Sequence, residues 1–188
     1  KYLLADKGKL AADASFIPVF DADPQVDVYL NTQALPRISL VYEIKQVNND
    51  TEAFAAVHSP DFDPFRLVVV NGGAALLAKK PGKSTLRYSH YSAHTQTVEA
   101  VTPSPAYLVF SEVWYPGWQA RLDGEPTSLL RANYAFRAVY LPVGEHTVEL
   151  TFSPGSWRYA SSVSLGTLLI LFTIFLASLC RRTALAHD

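Results

Sequence analysis

The sequence contains no methionine and only one cysteine, Cys180, among its 188 residues. A single thiol excludes an intrachain disulfide. It does not fix the redox compartment, because oxidising compartments permit disulfides without requiring them. Charge is scarce as well. Asp, Glu, Lys and Arg make up 18% of the chain, against about 25% in ordinary soluble domains. A formal net charge of −1 gives no electrostatic basis for binding nucleic acid. No signal peptide stands at the head of the chain, where Lys1-Tyr2-Leu3-Leu4 already reads as a strand, so an upstream segment is expected. Internal repeats and low-complexity segments are absent too.

The shortage of charge is local. Residues 1–159 read as an ordinary soluble domain, long enough to bury about two-thirds of its unfolded surface without staples. Residues 160–180 carry no charge. At ~1.5 Å per residue they would span roughly 30 Å as a helix. This predicts a single C-terminal transmembrane helix packed in the lipid bilayer. Trp157 and Tyr159 before it and Arg181 and Arg182 after it fit interface anchors. The arginine pair favours a short cytoplasmic tail over residues 181–188 and a large domain outside. A tail-anchored orientation would require both arginines to cross. On a helical wheel Ser162, Gly166, Leu169, Thr173, Ala177 and Cys180 fall within roughly 80° of one another. All but Leu169 are small, as in a face that packs against a partner helix.

The remainder is dominated by β signals. Val26–Asn31, Arg37–Ile44, Arg66–Asn71, Thr85–Tyr91, Thr95–Val101, Ala106–Val113, Trp118–Leu122 and His146–Phe152 are short runs rich in β-branched and aromatic residues. Asp123-Gly124 is a hairpin signal. Arg131–Leu141 alternates as one strand, with Ala132, Tyr134, Phe136, Ala138 and Tyr140 on one face. Thr51–His58 is the one helical-looking stretch before residue 160, capped by Asp50 or Thr51; the sequon Asn49-Asp50-Thr51 is read as helix start. The expected fold is mainly β: an antiparallel sandwich or jelly roll with one short helix, followed by the transmembrane helix.

Chemistry-bearing motifs are weak. Gly82-Lys83-Ser84-Thr85 resembles the end of a phosphate loop, but Leu77 stands where that loop needs glycine. Asp21/Asp23 and Asp61/Asp63 have the pairing that can hold a hard cation, yet each pair runs into proline in a loop. His90 and His94, at a strand end and a turn, would lie about 13 Å apart in extended chain. Cys180 has no histidine nearby. The reading is therefore of no catalytic residue, no metal and no cofactor. The corner Trp114-Tyr115-Pro116-Gly117-Trp118 is either a hydrophobic plug or an aromatic platform for a glycan, with Trp114, Tyr115 and Trp118 as its contacts.

Ser111-Glu112, Tyr115-Pro116-Gly117-Trp118, Asp123-Gly124, Arg131-Ala132-Asn133, Phe136-Arg137-Ala138-Val139 and Pro142–Val148 recur in one order within Tyr107–Phe152. This stretch resembles the C-terminal extracytoplasmic domain of the bacterial YfhO family of multi-spanning membrane proteins. Lys1–Leu4, Asn31, Leu35-Pro36-Arg37 and Phe62-Asp63-Pro64 fit the resemblance more loosely. Members of that family resemble glycosyltransferases acting on lipid-linked sugars, with the reaction among N-terminal helices that have no counterpart in this sequence. The resemblance implies a single-pass protein of the bacterial cytoplasmic membrane with its domain periplasmic or extracellular. Its expected role is a non-catalytic accessory subunit on the outer face of a larger membrane complex, an envelope or energy-converting one, which it stabilises through contacts of its helix and outer face with other membrane protein subunits. The alternative is the carbohydrate-recognising module of such a glycosyltransferase.

Overall fold

The computed structural model describes residues 1–10, 15–76 and 82–184; the side chains of residues 157, 158 and 176–184 are outside the described set. In chain order the strands begin with β1 (Tyr2–Asp6), β2 (Phe16–Phe20), β3 (Val26–Asn31), β4 (Ile38–Val41) and β5 (Glu43–Val47). After helix α1 (Asp50–Val57) come β6 (Leu67–Asn71), β7 (Thr85–Tyr91), β8 (Thr95–Thr102), β9 (Ala106–Phe110) and β10 (Trp118–Leu122). Then follow β11 (Glu125–Thr127), β12 (Leu130–Ala132), β13 (Phe136–Leu141), β14 (Gly144–Phe152) and helix α2 (Gly155–Ala184).

The described strands form three sheets, of order β1-β3-β2, β4-β9-β13-β12-β6-β5 and β11-β10-β14-β8-β7. Two compact units interleave along the chain. The first comprises Lys1–Leu86, Val101–Trp114 and Leu130–Glu145; the second comprises Arg87–Ala100, Tyr115–Leu129 and His146–Asp188.

The mainly β expectation holds, but an all-antiparallel sandwich or jelly roll does not describe the six-stranded sheet. There β5 and β6 run parallel, with Ile44 opposite Val68 and Gln46 opposite Val70. A parallel pair needs a crossover connection, usually helical, and α1 provides it. Ala53 and Ala56 turn inward from α1 and share a buried cluster with Val47 and Val69. The start of α1 is fixed by Asn49, not by Asp50 or Thr51. The Asn49 side chain accepts from the Glu52 N–H (2.9 Å). Glu52 in turn accepts from the Asn48 N–H and the Asn49 amide, both at 2.9 Å. This is a variant of the capping box in which Glu52 returns to the N–H of the residue before the cap and to the cap's side-chain amide.

The continuous strand expected over Arg131–Leu141 is instead a hairpin of β12 and β13. Asn133 and Tyr134 both have positive φ, 47° and 68°. Asn133 is held there by a pairing that periodicity does not reveal. Its N–H donates to the Val69 carbonyl (2.7 Å), and its side-chain oxygen accepts from the Val69 N–H (2.8 Å). The expected strand Arg37–Ile44 is also split, into β4, paired with β9, and β5, paired with β6. The Asp123-Gly124 hairpin is present, with φ of 53° and 85°, the left-handed pair that a two-residue hairpin needs. The main core of the first unit is Val41, Val68, Val70, Tyr107, Val109 and their small neighbours Ala132 and Ala138.

The transmembrane helix expected over residues 160–180 is not supported. Among the described residues no helix is long and apolar enough to cross a membrane. Ser161, Ser162, Ser164, Gly166 and Thr167 dilute the apolar character of the first half of α2. The single-pass assignment and the bilayer contacts expected along this helix are withdrawn with it.

Candidate functional site

The aromatic corner is divided between the two compact units. Trp114 closes a segment of the first unit, where it is half-buried and its N–H donates to the Ala135 carbonyl (2.7 Å). Tyr115 and Trp118 belong to the second unit. There the chain turns through Gly117, whose φ is 110°. A Cβ at Gly117 would lie 2.9 Å from the Pro154 Cα, so both the backbone conformation and the close approach demand glycine. The Gly117 carbonyl accepts from the Ser153 N–H (2.7 Å), which clamps the corner to the end of β14.

Phe152 gathers the rings of this corner. Its centroid lies 5.3 Å from Trp118, 6.2 Å from Tyr115 and 6.4 Å from His94. Trp118 and Phe152 are half-buried, whereas Tyr115 is largely exposed. The cluster is therefore neither a sealed plug nor a flat open platform. A groove of about 340 Å³ begins at Trp118 and is lined further by Gln119, Arg121, Glu149 and Thr151. Cross-strand register sets these side by side, with Gln119 opposite Thr151 and Arg121 opposite Glu149. The lining offers donors and acceptors with no net charge.

The remaining sequence candidates take structural places. His90 pairs with Thr95 (3.1 Å), and His94 stacks on Phe152. No group of three or more His, Cys, Asp or Glu suited to a metal exists among the described residues. Asp23 accepts from the N–H groups of Gln25 and Val26, and Asp63 from that of Phe65. Both are turn-forming acids. Lys7 donates to the Asp21 carbonyl and forms an ion pair with Asp27 at 2.9 Å. The Gly8 N–H, and then Lys7, hold the Asp27 carboxyl below its ordinary pKa; the hydrogen bond that Lys7 donates to Asp27 raises that of Lys7.

Three constellations escaped the sequence reading. The first is an ionic network in the first unit. Arg137, only 1% exposed, donates to one Glu112 oxygen, while Arg37 reaches the other (3.4 Å). The second is an exposed ring cluster. Phe54 lies 4.0 Å from His58 and 5.4 Å from Tyr134 between centroids, and the Arg131 guanidinium sits 4.9 Å over the Tyr134 ring. In the third, Asp123 accepts from the Thr147 N–H (2.8 Å) and from His146 Nδ1 (2.7 Å). The Thr147 bond, then His146, lowers the Asp123 pKa. The pairs Arg137–Glu112, Phe54–Tyr134 and His146–Asp123 lie far apart in sequence and carry no periodic signal.

On α2, Ser162 and Leu169 are exposed, as is Thr173, whose hydroxyl bonds to the Ile170 carbonyl (2.8 Å). Gly166 is half-buried with nothing within 4 Å of where a Cβ would stand. The side chains of Ala177 and Cys180, and of Trp157, Arg181 and Arg182, are outside the described residues; Tyr159 is exposed. No family model, curated protein or solved structure matches the chain.

Proposed function

We propose that the chain is a non-catalytic accessory module of a larger protein assembly, whose other members cover α2. The observation that carries this reading is the apolar surface of that helix. Val163, Leu165, Leu168, Leu169, Ile170 and Leu171 are each more than half exposed, and at 100° per residue they point to all sides. A helix apolar all round is normally buried. The Thr167 and Thr173 hydroxyls turn back onto their own helix, to Val163 (3.0 Å) and Ile170 (2.8 Å) carbonyls, as such hydroxyls can within a helix. The resemblance of Tyr107–Phe152 to the YfhO family's terminal domain favours an extracytoplasmic setting and a bacterial envelope assembly. A photo-crosslinking residue at position 168, activated in intact cells, should give one discrete protein adduct. No protein adduct at 168, with adducts from position 45 on β5 instead, would overturn the reading.

A second reading is favoured by the groove beside Trp118. Its mixture of donors and acceptors without net charge suits a neutral polyhydroxylated ligand such as a glycan. Neutral oligosaccharides should then change Trp118 fluorescence and lose affinity in Glu149→Ala. A saturating series with no change in either signal removes this reading.

A further inference from the structure

The three-stranded sheet is built inside out. Antiparallel register aligns Tyr2, Leu30 and Ile17 in one row and Leu4, Val28 and Phe20 in the next. These six apolar side chains share one face. Tyr2 is 63% exposed, Leu4 67%, Ile17 47% and Phe20 49%. On the opposite face the central strand buries Asp27 and Tyr29, while Leu3 on β1 is 39% exposed. There Tyr29 donates to the Leu10 carbonyl (2.8 Å), and Asp27 is held by Lys7 and the Gly8 N–H. The chain has thus spent its polar contacts on the covered side and left an aliphatic and aromatic surface uncovered.

We propose that this face is the interface between two copies of the chain, stacked sheet to sheet. Charge decides between occupants. The two rows contain no ionisable group other than the Tyr2 phenol, and Asp6 at the end of β1 is already paired with Lys9. A face without charge offers nothing to steer or select a charged partner, but it meets its own copy with no like-charge clash. Area agrees. The four exposed side chains present roughly 100 Å² each. With Val28 and Leu30 the face comes to about 500 Å², the upper range of what a monomer leaves open. Two such faces bury about 1,000 Å², the threshold of a specific interface. Geometry agrees as well, because a short three-stranded sheet with one covered face gains a second packed layer about 10 Å away. The inference is independent of how α2 is covered.

The test uses the full chain with Cys180→Ala, carrying Val28→Cys on the central strand or Leu3→Cys on the opposite face. A short bis-maleimide should cross-link Val28→Cys into dimers several-fold more than Leu3→Cys. Adding Leu4→Lys with Phe20→Lys should abolish the cross-link. A reactive but uncross-linked Val28→Cys overturns the proposal, as do equal yields from the two positions or a cross-link that survives the lysine pair. If the lysine pair unfolds the chain, dilution decides: a yield from Val28→Cys that does not fall with protein concentration overturns it. A thiol that stays monomeric and is shielded by phosphatidylcholine vesicles assigns the face to lipid, and likewise overturns it.

Discussion

The six-stranded and three-stranded sheets are made from the same alphabet of valine, leucine and tyrosine, yet they end differently. In the first, β6 buries Val68, Val69 and Val70, and all five residues of β9 are buried. In the second, the central strand β3 hides alternate positions only, and what it hides includes an aspartate. The difference lies in what each strand finds opposite it. Where side chains of the same chain complete both layers, apolar runs close into a core and the polar groups within it must be matched. Where no second layer exists, the apolar face stays open and the polar contacts carry local structure.

The largest expected effect lies where the closed region holds a charge. Glu112→Ala should cost about 3–5 kcal/mol in chemical denaturation, because it strands the buried Arg137 guanidinium. The same substitution at Glu43, whose bond to Arg66 (3.2 Å) is exposed on both sides, should cost under about 1 kcal/mol. Equal costs would mean that Arg137 is not held by Glu112 in solution. Asn133→Ala should follow at about 2–3 kcal/mol, since it orphans the buried Val69 N–H and leaves alanine at positive φ. Asn133→Asp, which keeps the acceptor, should recover most of that loss. Asn49→Ala should cost about 1 kcal/mol through the lost cap of α1.

These sites show what the sequence could and could not disclose. Strand runs such as Val26–Asn31, Thr85–Tyr91 and Trp118–Leu122 were legible because alternation and turn residues are local, and Asp123-Gly124 marked its hairpin. The parallel β5–β6 pair was not, because pairing direction depends on which strands meet across α1. The break at Asn133 was hidden because Ala132, Tyr134 and Phe136 alternate correctly on paper; the deciding partner, Val69, is 64 residues away. Of the site, the Trp118 corner was visible as an aromatic cluster. Phe152 at its centre and the division between Trp114 and Tyr115 were not, because both depend on tertiary contacts. The charge-free C-terminal run read as a membrane span from length and composition, but among the described residues no helix is long and apolar enough to cross a membrane.

Acid sharpens the comparison, since the central strand of the open sheet buries a carboxylate, Asp27. Asp27 has its pKa depressed by the Gly8 N–H and Lys7, and Asp123 by the Thr147 N–H and His146. A depressed carboxylate contributes stability that is complete above its unfolded value, about 3.9, and is lost as pH falls through the lower folded value. Stability should therefore be flat above about pH 5 and decline below about pH 4. Asp27→Asn should reduce that decline, and Asp123→Asn independently so. Midpoints of urea denaturation at pH 3 and pH 6 measure it. An unaltered decline in Asp27→Asn would detach the three-stranded sheet from its Lys7–Asp27 pair.

The smallest expected effect is the one that separates the two sheets most sharply. Leu4 lies in an exposed row, so Leu4→Thr keeps β propensity and removes little buried surface; it should shift the stability of the dilute chain by less than about 0.5 kcal/mol. Val68→Thr, equally conservative in shape, places a hydroxyl in a sealed core and should cost about 1–3 kcal/mol. The Leu4→Thr result also depends on concentration if the exposed face closes on a second copy, because association stabilises only the folded form. Denaturation midpoints of the wild-type chain should then rise with protein concentration, while those of Leu4→Thr rise less. A Leu4→Thr cost as large as that of Val68→Thr in dilute solution would show that Leu4 is covered within its own chain, and the contrast between the two sheets would fail.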